Sequence, residues 1–141
     1  MRYKFLLTLT FFFSLAIAGN APSNVQTEFD RLFPGIQDVI WERESPKGWN
    51  AEFTLNEKNV KASFSFAGAW IETIYEINLE ELPIQIKESV NSFYPEWQIV
   101  VASKINNSKG EVLYKTAIQQ NGKLQELVMK PEGTLMMVVT K

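Results

Sequence analysis

The sequence predicts an α+β fold of two tandem repeats. Each repeat is a helix followed by a four-stranded antiparallel sheet, the two units joined in one sheet with the helices on one face. Three observations carry this expectation: a helical pattern that occurs twice, a period-two pattern after each copy, and glycine or asparagine at the points where the strands must turn.

The helical pattern runs Pro22, Val25, Phe29, Leu32, Phe33, Pro34 and returns as Pro83, Ile86, Val90, Phe93, Tyr94, Pro95, at an offset of 61 throughout. Apolar residues separated by four, three and one positions line one face of a 3.6-residue helix. The leading proline suits the first helical position, where its missing N–H is no loss. The second proline ends the helix, because the residue before it avoids the α region.

Alternation follows each helix. Trp49, Ala51, Phe53 and Leu55 share one face with Val60, Ala62, Phe64 and Phe66, while Asn50, Glu52, Thr54, Lys61, Ser63 and Ser65 take the other. A turn over 56–59 pairs 55 with 60 and sets Phe53 opposite Ala62, large against small. Tyr114, Thr116, Ile118, Leu127 and Met129 repeat the pattern, and Asn121-Gly122 is a strong two-residue hairpin signal. Further strands are expected over 38–43, 69–77, 99–105 and 134–140. The repeats cover 19–77 and 83–141, joined by a linker at 78–82, and are expected to fold as one cooperative unit.

The N-terminus reads as an export signal. Arg2 and Lys4 precede the apolar run Phe5 to Ala16, and Ala16-Ile17-Ala18 offers a small-x-small cleavage site, so residues 1–18 form a signal peptide. The run is shorter than the roughly 20 apolar residues a spanning helix needs. No later stretch is long and apolar enough to span a bilayer, so no integral membrane segment is expected after cleavage. The protein is expected in the periplasm or secreted. Removing 18 of 141 residues leaves 123 and takes Lys plus Arg from 14 to 12 against 16 Asp plus Glu, a mature charge near −4. No basic footprint for nucleic acid remains.

The chain has no Cys and no His. That removes Cys/His zinc sites, thiol nucleophiles and Ser-His-Asp triads. No cofactor, no metal and no catalytic residue is expected, and nothing indicates a homo-oligomer. Carboxylates are the remaining catalytic groups: Glu42 with Glu44, and Glu72 with Glu76. Paired acids need a walled cleft and separated pKa values. Solvated strand charges are the simpler reading.

Several of these residues together resemble a known family: Phe33-Pro34, Ile40-Trp41-Glu42, Trp49-Asn50-Ala51-Glu52-Phe53, Phe64 to Trp70, and Leu82-Pro83 opening the second copy. The pattern is similar to the PepSY-like family, described as β-lactamase-inhibitor-like exported bacterial proteins, and it spans residues 22–139. Ala102 departs from it, standing where Trp41 stands in the first copy. The resemblance implies a tandem α+β fold with an open sheet face. It does not imply inhibition of a β-lactamase, since fold does not fix function.

The functional expectation is a non-catalytic binding or inhibitory module that recognises an unknown protein partner, such as an envelope hydrolase or peptidase. The expected contact residues on the open face are Trp70, Glu72, Ile74, Leu113, Lys115, Leu124 and Val128. A turn at Ala67-Gly68 that pairs 65 with 70 puts Trp70 on that face. The alternatives are a carrier of a small apolar ligand in a cavity lined by Phe53, Phe64 and Phe93, a structural accessory of an envelope assembly, and a carboxylate hydrolase.

Overall fold

The computed structural model describes residues 17–141. The predicted signal peptide lies outside the described residues except for Ile17 and Ala18, which form a short strand, β1. Helix α1 covers Ser23–Leu32 and helix α2 covers Ile84–Phe93. Both prolines sit one position earlier than expected, capping their helices. The Pro22 carbonyl accepts the Gln26 N–H, and the Pro83 carbonyl accepts that of Ile86.

Eight longer strands follow in chain order: β2 (Ile40–Glu44), β3 (Gly48–Leu55), β4 (Lys58–Phe64), β5 (Trp70–Ile77), β6 (Gln98–Asn107), β7 (Val112–Gln120), β8 (Lys123–Met129) and β9 (Leu135–Thr140). Every strand pairs antiparallel with its sequence neighbour, from β1 at one edge to β9 at the other. A 3-10 turn at Leu79–Glu81 carries the chain from β5 to α2.

This overturns the expected α+β fold of two tandem helix-plus-four-stranded repeats. The molecule is dominated by one continuous antiparallel sheet, and its α-helix is confined to two ten-residue segments. The reason lies at the junction. β5 and β6 pair over six residues, Glu72–Ile77 against Ala102–Asn107. Two separate sheets would each leave a row of unpaired N–H and C=O groups there, and edge-to-edge pairing satisfies both rows.

Directly opposed residues share a face in an antiparallel pair. One row, Phe53, Val60, Tyr75, Lys104, Tyr114, Met129 and Leu135, therefore crosses seven strands on a single face. Both helices cover that face. Val25 and Phe29 of α1 pack on Ala51, Phe53, Val60, Ala62 and Phe64. Ile86 and Val90 of α2 pack on Ala102, Ile118, Leu127 and Met129. The apolar core is thus two clusters over one sheet, with Tyr75, Lys104 and Tyr114 spanning the boundary.

The first hairpin is tighter than expected. Its loop is Asn56-Glu57 alone, so Leu55 faces Lys58, Phe53 faces Val60 and Ala51 faces Ala62. The shift is two residues, which leaves every side chain on its expected face. Both loop residues have positive φ, 50° and 63°, as a type I′ turn requires. The second hairpin meets the same demand with Asn121-Gly122. Glutamate is a poor occupant of this region, at a cost of about 1–2 kcal/mol. Glu57→Gly is expected to stabilise the protein by about 1 kcal/mol, read as a raised urea midpoint at unchanged slope.

Candidate binding face

The face opposite the helices changes character from β2 to β9. Across β2–β5 it is polar: Glu42, Asn50, Ser63 and Glu72 form one cross-strand row. The Asn50 amide donates to Glu44 Oε2 at 2.6 Å, and Ser63 Oγ donates to Asn50 Oδ1 at 2.8 Å, so buried Asn50 is satisfied on both sides. The Asn50 hydrogen bond holds Glu44 below the usual carboxylate range, against partial burial and with help from Lys61 and Lys47. Partial burial pushes Glu52 up, Glu42 adds to this, and Lys61 opposes it.

From β5 onward the same face turns apolar. Ile74, Ile105 and Leu113 form one row. Ser103, Lys115, Val128 and Met137 form the next, and Val101, Ala117, Glu126 and Val139 a third. Ile105 and Ala117 are nearly covered by their neighbours, whereas Met137 is 57% exposed and Val139 39%. Lys115 and Glu126 stand within the patch, and Glu126 pairs with Lys141 at 2.7 Å.

Six of the seven expected contact residues lie on this face. Ile74, Leu113, Lys115, Leu124 and Val128 belong to the apolar half, and Glu72 sits at its polar border. Trp70 is the exception and is corrected. A β-bulge between Ser63 and Phe64 lets Glu72 oppose Ser63 while Trp70 opposes Phe64, a core residue. Ile71 is the extra residue, and one extra residue flips the face of everything beyond it. Trp70 therefore packs against the first core cluster, and its indole N–H donates to the buried Thr73 hydroxyl at 2.9 Å. Trp70→Ala is expected to cost about 2 kcal/mol of folding stability, less than a fully buried aromatic because the ring is only half-buried. Chemical denaturation of the variant measures this.

Phe66 is also corrected. It lies beyond the end of β4, 40% exposed, with the Arg43 guanidinium 5.2 Å from its ring centroid.

Ala117, expected on this face, is there, and Ile105, Val101, Met137 and Val139, absent from the expected set, complete it. Their alternation is visible in the sequence. What was missing is the β5–β6 pairing and the β9 register that bring them beside Ile74 and Val128.

Of the expected acid pairs, Glu72 and Glu76 lie four residues apart on β5, roughly 13 Å, while Glu42 and Glu44 lie two apart on β2, roughly 7 Å, on the face opposite the helices rather than within a walled cleft. The two acids whose pKa values are driven apart, Glu44 and Glu52, are also separated. Glu44 opposes Gly48, so Glu52 lies four residues further along β3, roughly 13 Å away. Paired-acid glycoside hydrolysis needs about 5–9.5 Å. Among the described residues, no group of three or more acidic side chains is gathered to hold a metal ion. The residues proposed to line a carrier's cavity are also apart. Phe53 and Phe64 are buried in the first cluster, while Phe93 is 61% exposed on α2 in the other half.

No family model matches the sequence, and no curated protein matches it. Solved structures do match the fold. A DUF2874 family protein from Bacteroides ovatus aligns with a TM-score of 0.77 at 21% identity, over 86% of this chain and 89% of that one. A BLIP-like protein from Bacteroides fragilis aligns at 0.72 and 18% identity, over 86% and 87%. A protein provisionally described as periplasmic, from Bacteroides eggerthii, aligns at 0.78 and 13% identity, over 86% and 90%. At these identities the likeness is one of fold: the chain has a BLIP-like fold. Membership of the PepSY-like family is not shown. Among the described residues, no helix is long and apolar enough to cross a membrane.

Proposed function

We propose that this protein is an exported, non-catalytic binding module that recognises a protein partner through the apolar half of its open sheet face. The observation that carries this reading is the contrast between the two faces. Helices cover one side of the sheet, while the other presents Ile74, Leu113, Val128, Met137 and Val139 with charges set among and beside them. An apolar patch edged by polar groups is the anatomy of a recognition surface. The BLIP-like fold of a neighbour and the provisional periplasmic description of another support the reading. The placement of Glu42 and Glu44 on the uncovered sheet face, with Glu72 and Glu76 far apart on β5, argues against the hydrolase alternative, and the separation of Phe53 and Phe64 from Phe93 against the carrier.

Export begins with cleavage after Ala18 in this proposal. Cleavage removes the two residues of β1 and leaves β2 as that edge of the sheet. Residues 19–77 and 83–141 then fold as one unit.

The experiment is affinity capture from an envelope extract of the native organism, with bound proteins identified by mass spectrometry. Titration with purified captured protein then compares the native chain with Leu113→Glu and Val128→Glu. A charge in the middle of a desolvated patch is expected to weaken binding at least tenfold. Glu52→Gln, on the polar half, should bind within a factor of two. Equal binding by all four proteins would remove the assignment to the apolar half.

A further inference from the structure

The two edges of the sheet are built differently. Apart from the two-residue β1, one edge is β2, whose Glu42, Arg43 and Glu44 are followed by Pro46. Charge and proline are the usual means of blocking further strand pairing. The other edge is β9, with the sequence Leu-Met-Met-Val-Val-Thr, carrying no charge and no proline. Met136 is 53% exposed, Met137 57%, Val138 42% and Val139 39%, so both faces of this strand offer apolar side chains. Among the described residues, no strand pairs with the outer side of β9.

Its hydrogen-bonding register can be read from β8. The Lys141 N–H donates to the Leu124 carbonyl at 3.2 Å. Bonding alternates along an antiparallel ladder, so Val139 and Met137 also direct their backbone groups toward β8. Val138 and Thr140 therefore direct theirs outward.

We infer that β9 pairs antiparallel with β9 of a second copy of this chain, about a two-fold axis at Val138. A perpendicular two-fold keeps like faces together, so opposed residues must share a face. With the axis at Val138, the two Val138 residues exchange both backbone hydrogen bonds on the helix-bearing side. Met137 of each copy lies beside Val139 of the other on the open side. No charged residue occurs in the five paired positions, Met136–Thr140, so no like charges are opposed. The strand is thus self-complementary on both faces, which selects a second copy over an unrelated strand. A single strand pair buries less than the roughly 1,200 Å² of a standard interface, so the dimer is weak and concentration-dependent. It joins two sheets into one without covering the apolar half of either open face.

Sedimentation velocity of the mature protein across a concentration series, from about 5 μM to about 500 μM, tests this. The mass is expected to rise toward twice that of the monomer. Val138→Pro removes one outward N–H that β8 does not use, so the variant should stay folded by circular dichroism and remain monomeric throughout. The native chain has no cysteine, which makes a single substitution diagnostic. Paired Cα atoms about 5.5 Å apart suit a disulfide. Val138→Cys should form a covalent dimer under mild oxidation at least tenfold faster than Ile40→Cys, at the opposite edge. A native protein that stays monomeric at the highest concentration would overturn the inference. So would open-ended polymers, a Val138→Pro protein that still dimerises, or equal cross-linking of the two cysteine variants. Met137 and Val139 belong to both surfaces, but recognition is read at Leu113 and Val128, away from the β9 edge, so failure of one reading is distinguishable from failure of the other.

Discussion

Gly48→Ala is expected to destabilise the protein by about 3–5 kcal/mol, the larger share of a typical domain's margin. Gly48 opens β3 with φ at +147°, a conformation that side chains other than hydrogen rarely adopt. The backbone strain alone costs on the order of 1–3 kcal/mol. A Cβ added there would also fall inside contact distance of the Phe64 carbonyl oxygen and 2.9 Å from both Phe64 C and Ser65 Cα. These are backbone atoms and cannot rotate away, so the β3–β4 ladder must shift at the point where Trp49 opposes Phe64. Overpacking of this kind adds about 1–3 kcal/mol. Urea denaturation followed by circular dichroism measures the loss. Gly35→Ala is the control: a Cβ there meets nothing within 4 Å, although φ is +83°. A Gly48→Ala protein no less stable than Gly35→Ala would show that β3 and β4 do not approach this closely.

Phe64→Ala is expected to cost about 3–5 kcal/mol through the cavity it leaves. Phe64 is fully buried, its ring lying 6.3 Å from that of Phe29 and 6.1 Å from Trp41. Phe29 also makes edge contact with Phe53 at 5.2 Å, so the helix is anchored through an aromatic cluster rather than a single contact. Losing Phe64 should therefore loosen α1 as well as the sheet, visible as faster amide exchange in Val25–Phe29. Phe66→Ala, two residues on, should change stability by about 0.5 kcal/mol or less, because that ring is on the surface. If Phe66→Ala proved as costly as Phe64→Ala, the end assigned to β4 would be wrong.

The pair also shows why one part of the sequence was legible and the next was not. Strict alternation places 64 and 66 on the same face for as long as the strand continues. It ends at Phe64, and Ser65 and Gly68 close a turn in which the Gly68 N–H donates to the Ser65 carbonyl. Alternation carries no information past that point. The bulge at Ile71 then reverses the parity of Trp70, which is why an aromatic expected on the open face belongs to the core. In the first hairpin a two-residue error changed every partner and no face, so Phe53 and Ala62 still proved to be core.

The sequence by itself determined the two helices, the hairpins and the buried face of most strands. These depend on interactions a few residues apart: the 3.6-residue period under Val25 and Phe29, the repeat of that pattern at Ile86 and Val90, and turn residues at Asn121-Gly122. Only the tertiary structure decided which strands join the two halves and in what register, because the β5–β6 pairing links residues about thirty positions apart across a helix. It also decided that Ile74, Ile105, Leu113, Val128 and Met137 form one surface. Each is a single alternating position in its own strand. Their meeting depends on which strands pair and in what register, and alternation within one strand fixes a face but not a partner.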